Sequence, residues 1–253
     1  KVKVDKAIRP IIHRLTNHQN KHQLWSWWGN SENTSFWMSA HILRALKMAQ
    51  DAGYPVELNL NGLKVEYAHT RPYRGMKLED IEILHALHEW KVEADYSSAV
   101  RLLEPFVRQL EQKEDSLANR NKYYRPLSYL KEKLLLWEIK QQVDSVNVGD
   151  SVRPYLKKDM LEGVYCDDGR RTYYWEGNQM INTLIAYRII KNDPSLCKLK
   201  ENMQLYILRT KERGWNTYQA SSAVATVLTD LLAGSGGMSG TSVSVSGKDH
   251  QRI

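Results

Sequence analysis

Apolar positions recur along most of the chain at offsets of three and four, the spacing that gathers side chains on one face of an α-helix. In "SFWMSAHILRALKMAQDAG", Trp37, Ala40, Leu43 and Met48 share a broad face, and Gly53 followed by Pro55 supplies the stop. "LEDIEILHALHEW" repeats the pattern through Ile81, Leu84 and His88. "SSAVRLLEPFVRQLEQ" sets Val100, Leu103, Val107 and Leu110 on one stripe. Pro105 lies inside that stripe and predicts a kink or two short helices, because a prolyl nitrogen cannot donate. "RPLSYLKEKLLLWEIKQQV" aligns Leu127, Leu130, Leu134 and Trp137. "NQMINTLIAYRIIK" is followed by "NDPSLCKLKENMQLYILRTK", where Asp193 is placed to cap and Pro194 to occupy the first turn. "GWNTYQASSAVATVLTDLL" predicts a last helix capped by Asn216, with Gln219 as the capping-box partner. Its apolar stripe would be Ala220, Val224, Val227, Leu228 and Leu231, on a helix otherwise built of small residues.

These segments predict an all-α chain of about nine or ten helices joined by short loops. "LNLNGLKVEYAHT" alternates like a strand, although its helical surroundings favour helix. The end is different: "GSGGMSG" has the composition of a flexible linker, and "TSVSVSG" alternates like an exposed strand. The expected division is a helical domain over 1–233 and, over 234–253, a linker leading either into the first strand of a following β domain or into a disordered tail.

A loose repeat runs through the helical part. An aromatic turn, a polar cap and a helix of small and aliphatic residues occur together in "WSWWGNSENTSFWMSAHILRAL", "YYWEGNQMINTLIAYRI" and "GWNTYQASSAVATVL". The spacing is too irregular for a short-period solenoid, so the expectation is helical hairpins stacked in a ring or bundle, each entered through an aromatic turn.

Composition narrows the partners. A chain of 253 residues with 42% hydrophobic content can bury a large core, and no apolar run approaches the roughly 20 residues of a membrane span. The first eighteen residues are amphipathic and do not form a signal peptide, and the missing initiator Met suggests a piece of a longer exported protein. Net charge is +7, which allows a polyanion partner, but bases alternate with acids, as in "LKEKLLLWEIK". Even "RNKYYR", the densest basic group (Arg120 to Arg125), is expected to be solvated surface with no nucleic acid bound. Cys166 and Cys197 are too few for a disulfide scaffold and are expected to be free, a single bridge being the alternative.

Candidate chemistry is sparse. His18 and His22 at i, i+4, with His13 nearby, and His85 and His88 at i, i+3 have metal-binding spacing but no fixed third ligand. "CDDGRR" offers the adjacent carboxylates Asp167 and Asp168, in a turn-forming Asp-Gly context. Trp25, Trp27 and Trp28 beside Glu32 resemble the aromatic platforms and carboxylates of sugar-active enzymes, though "WSWWG" reads equally as a turn plugged into a core. No Gly-rich phosphate loop and no Gly-x-Ser-x-Gly elbow is present. No metal or cofactor is expected.

The three repeat segments carry a resemblance to a family. "LTNHQNKHQLWSWWGNSENTSFWMSAHILRALKMAQDAGY", "YYWEGNQMINTLIAYRII" and "RTKERGWNTYQASSAVATVL" resemble, in order, the Trp-turn-then-helix segments of bacterial alpha-2-macroglobulin-like proteins, over about Ala7 to Leu232. The resemblance implies the α/α toroid of that family's thioester domain, with Trp28, Trp175 and Trp215 as structural rim aromatics. It implies a non-enzymatic share in a protease inhibitor or trap of the cell envelope, periplasmic or extracellular. Partners would be neighbouring β domains of the same polypeptide and target proteases, without direct membrane insertion. The family's Cys-x-Glu-Gln thioester run is absent: Cys166 is followed by Asp-Asp-Gly and Cys197 by Lys-Leu-Lys, so no thioester residue lies in this chain. The alternatives are an (α/α) toroid glycosidase or lyase, and a plain helical interaction scaffold.

Overall fold

The computed structural model describes residues 2–28, 33–60, 75–172, 179–211 and 217–235. Within them the chain is predominantly helical: α1 (Val2–Asn17), α2 (Phe36–Asp51), α3 (Leu78–Glu89), α4 (Tyr96–Arg120), α5 (Leu130–Val143) and the short α6 (Gly149–Val152). A small antiparallel hairpin of β1 (Leu156–Lys158) and β2 (Val164–Cys166) follows. Then come α7 (Gln179–Ile190), α8 (Cys197–Thr210) and a final segment of α9 (Thr217–Ala223), a π-helical turn (Val224–Leu228) and α10 (Thr229–Ser235). None of the described helices is long and apolar enough to cross a membrane.

The helices sort by how much of their circumference is buried. In α3 every residue from Asp80 to Leu87 is buried, as is every residue of α7 from Met180 to Tyr187. α5 buries Leu130, Lys131, Glu132, Leu134, Leu135, Leu136, Glu138 and Ile139. These three pack α3 on α5 and α5 on α7. α2 packs on α3, α4 on α5 and α8 on α7, and these outer helices show the one-sided burial of surface helices. α3 serves two cores. Ile83, Ala86 and Leu87 join Trp25, Leu43 and Leu46 on the α1–α2 side. Ile81 and Leu84 join Leu134, Ile139 and Leu184 on the other.

Local chemistry fixes the element ends. Ser35 caps α2, its hydroxyl accepting from the Met38 amide, and Gly53 leaves the helix at φ +89°, where a side chain would be strained. Asp193 accepts from the Ser195 amide at 2.9 Å and Pro194 takes the first turn before α8, as anticipated. α4 instead runs unbroken through Pro105. Both Pro105 and Arg101, whose carbonyl loses its donor, are exposed, so water can satisfy that carbonyl while Val100, Leu103 and Val107 keep a continuous buried stripe.

Two further expectations need correction. The hairpin stands where only helix and loop were read. Asp159 builds its turn, Oδ1 accepting from the amides of Leu161 (2.8 Å) and Gly163 (2.7 Å). A Cβ on Gly163 would meet Asp159 Oδ2 at 2.8 Å, so the glycine permits this closure. In the final segment, Ala223, Thr226 and Val227 are buried, whereas Val224 is 50% and Leu231 37% exposed. Of the apolar stripe assigned at α-helical spacing, Val227 is buried and Ala220 and Leu228 are half-buried, while Val224 and Leu231 turn outward and Ala223 and Thr226 join the packed face in their place. Asp230, bonded to Tyr187 Oη on α7 (3.1 Å) and to Lys191 Nζ just past its end (3.2 Å), orients the segment. The helix ends at Ser235, two residues past the expected boundary. Residues 236–253, most of "LNLNGLKVEYAHT", Asn216, Trp175 and Trp215 lie outside the described residues.

Candidate functional site

The aromatic turn before α2 is organised by Asn20. Its Oδ1 accepts from the amides of His22 (2.9 Å) and Leu24 (3.2 Å), and its Nδ2 donates to Thr34 Oγ1 (3.0 Å). This turn seats Trp25, only 3% exposed, whose indole donates to the Leu15 carbonyl at 2.8 Å. The plug is thus Trp25. Trp28, expected at a rim, is 88% exposed, and Trp27 stacks on Trp37 with centroids 5.4 Å apart.

α2, α7 and the final segment, the helices of the three repeat segments, meet at one cavity of about 180 Å³. α2 contributes Arg44, Lys47, Met48 and Asp51, α7 contributes Ile181, Leu184, Ile185 and Arg188, and the final segment contributes Ser222, Ala225 and Thr226. Glu89 of α3 and Lys131 and Leu135 of α5 complete the wall. The π-helical turn supplies two of these lining residues, Ala225 and Thr226, and such turns recur at functional sites.

Behind this lining runs a buried ionic network. Glu82 of α3 pairs with Arg44 at 2.5 Å and with Lys131. Glu138 of α5 takes a bidentate pair from Arg188, Nε to Oε1 and Nη2 to Oε2, both 2.7 Å, and lies 2.9 Å from His85 Nε2. His85 Nδ1 faces Glu89 at 3.6 Å. Burial alone would raise the Glu82 and Glu138 carboxyls; Arg44 and Lys131 beside the first, and Arg188 and His85 beside the second, hold both well below the usual carboxylate range. Burial would lower His85, but Glu89 and Glu138 raise it. Glu132 differs: burial pushes it up to about 7, only partly opposed by Lys131. The carboxylates at the cavity are committed to ion pairs, an arrangement suited to holding helices together and presenting cations.

This network corrects the reading of "LKEKLLLWEIK" as a solvated face: Lys131, Glu132 and Glu138 are 7% exposed each. The partners of Lys131 and Glu138 come from α3 and α7, so no local pattern reveals them. The available signal was the isolated charges within the apolar runs "IEILHAL" and "LLLWEI". Of the other candidates, His85 joins the ionic network, and His88 packs edge-on against Tyr96. His18 bonds the Arg14 carbonyl. No group of three or more His, Cys, Asp or Glu able to hold a metal occurs among the described residues. Asp168 accepts from Ser128 Oγ (2.7 Å) and the Arg170 amide, bracing a loop, and Glu32 lies outside the described residues. Cys166 is a buried free thiol, pushed up to about 12 by burial, and Cys197 is exposed and free. The "RNKYYR" side chains Arg120, Lys122, Tyr123 and Arg125 are all exposed.

The chain matches no protein-family model, and neither the curated proteins nor the solved structures provide a match.

Proposed function

We propose that the chain is a non-enzymatic, thioester-domain-like module of a bacterial alpha-2-macroglobulin-like protein, its helices arranged as an α/α toroid. The observation that carries this reading is the convergence of α2, α7 and the final segment, the three segments that bear the resemblance, on a single cavity. The layering of α2, α4 and α8 outside α3, α5 and α7 supports it further, since a toroid of helical hairpins needs an inner and an outer set. In the complete protein the module would pack between β domains and shield an upstream thioester where one exists, because water hydrolyses an exposed one. The whole would inhibit or trap proteases at the cell envelope, in the periplasm or outside the cell.

The test is to express the full-length gene product and incubate it with endoproteases of different specificity. The expected result is a mobility shift on native gels, with retained cleavage of small peptides but lost cleavage of large protein substrates. Unchanged protease activity on both, or glycan turnover by the chain that Asp168→Asn abolishes, would overturn the reading.

A further inference from the structure

We propose that the end of α4, with the two loops bonded to it, binds single-stranded nucleic acid. The proposal rests on this surface alone and is independent of the family reading. "RNKYYR" supplies Arg120, Lys122 and Arg125, and "GRR" supplies Arg170 and Arg171. Tertiary bonds bring the two segments together. Glu114 of α4 accepts from Tyr124 Oη (2.7 Å) and from the Leu127 amide (2.9 Å), which folds the first loop back along the helix. The Arg171 amide donates to the Pro126 carbonyl (3.1 Å), and the Arg171 carbonyl accepts from the Ser128 amide (2.8 Å). Arg170 reaches Asp115 of α4 at 2.9 Å. This pairing sets the Arg125 and Arg171 backbones within about 12 Å of each other.

The bases of this surface are unspent. Arg120, Lys122, Arg125 and Arg171 are exposed, and among the described residues none of their side chains has a hydrogen bond or an ion pair. The acids nearby are occupied: Glu114 by Tyr124 and Leu127, Asp168 by Ser128 Oγ and the Arg170 amide, Asp115 by Arg170 Nη2. Arg170 Nη1 has no hydrogen-bond partner, so that guanidinium keeps a donor in hand. Unpaired bases gathered from two segments attract a polyanion, and Tyr123 decides which. Asn121 makes a tight turn, its carbonyl accepting from the Tyr124 amide (2.9 Å) and its Oδ1 from the Tyr123 amide (3.0 Å). The turn leaves Tyr123 89% exposed between Lys122 and Arg125. Single strands are held in this way, by cations along the backbone and by rings on which bases stack. A sulfated glycan has no use for the ring. A lipid surface needs a larger apolar area, and over 113–128 and 167–172 the exposed large apolar side chains are Tyr123 and Leu117.

The experiment is fluorescence anisotropy of the intact chain with a labelled oligothymidylate of about twelve nucleotides, repeated over a series of salt concentrations. The expected result is saturable binding whose log–log salt slope is about −3, the value for four bases on a single strand. Arg125→Ala with Arg171→Ala should weaken binding at least tenfold and make the slope shallower by about 1.4. Tyr123→Ala should weaken binding at least fivefold with the slope unchanged, because stacking releases no counterions. These side chains are exposed and unpaired, so the melting curves should match wild type. Lys6→Ala with Arg9→Ala, which removes the same charge from exposed positions on α1, should leave the affinity within twofold. An equal loss from the α1 pair would overturn the site in favour of net charge. No loss from Tyr123→Ala, or tighter binding to heparin or to vesicles of anionic phospholipid, would overturn the single-stranded partner. Absence of saturable binding to the wild-type chain would overturn the proposal outright.

Discussion

Replacing Glu82 with Gln should destabilise the fold far more than a change of one atom suggests. Side-chain exposure is 5% for Glu82, 10% for Arg44 and 9% for Lys131, so the substitution leaves two cations together away from bulk water. Breaking a buried ion pair from one side costs about 3–5 kcal/mol. Both cations border the cavity, where water can relax part of that penalty, which places the expectation at about 3 kcal/mol. With a urea m-value of about 3 kcal/mol/M, that lowers the unfolding midpoint by about 1 M. Removing the whole cluster should behave differently. Arg44→Met, Glu82→Leu and Lys131→Met combined should cost little or stabilise by about 1–4 kcal/mol, because desolvation of all three charges is relieved together. Equilibrium urea melts followed by circular dichroism measure both variants. A loss below about 1 kcal/mol for Glu82→Gln would show that the charges are well solvated. A triple variant as unstable as the single one would show that the penalty does not come from orphaned charge. The wild-type pair also carries an acid signature: with the folded carboxyl held low, its stabilisation is present above the ordinary carboxylate range and is lost as pH falls through the folded value.

Glu132 should act in the opposite sense. Its folded value of about 7 lies above the ordinary glutamate value of 4.5, so the native state binds the extra proton and stability declines as pH rises from about 4.5 through 7, by about 3 kcal/mol in all; Glu132→Gln should flatten that part of the stability–pH profile and raise stability at pH 8, and a parallel profile would refute the assignment. Trp25→Ala should cost about 3–5 kcal/mol, since it empties the plug between α1 and α2 and removes the indole bond to the Leu15 carbonyl; a thermal melt within about 1 kcal/mol of wild type would contradict that packing role.

The helices were legible because their signals are local. Ser35, Gly53, Asp193 and Pro194 mark ends by chemistry that reaches no further than three residues. The hairpin was not, because strands of three residues give alternation too little length to register, and the closing signal is a single side chain, Asp159, folded over Gly163. The last helix was found but its packed face only in part: a regular 3.6-residue period cannot foresee a π-helical turn, and the groups that orient it, Tyr187 and Lys191, are about forty residues away in sequence. The cavity was half visible. The repeat identified its three helices, but nothing in "LKEKLLLWEIK" distinguishes Lys131, paired across the interior with Glu82, from Lys133, held partly exposed by Glu111 and Tyr155.

The account depends most on α2 and the final segment facing the same interior space. Met48 and Ala225 both line the cavity, whereas Ala45, on the same helix as Met48, does not. In a chain with Cys166 and Cys197 replaced by Ser, a short bismaleimide should join Met48→Cys to Ala225→Cys within one polypeptide, read by mass spectrometry of the linked peptides. The Ala45→Cys and Ala225→Cys pair should give only single adducts. Equal linkage of the two pairs, or none of the first, would contradict the convergence of these helices.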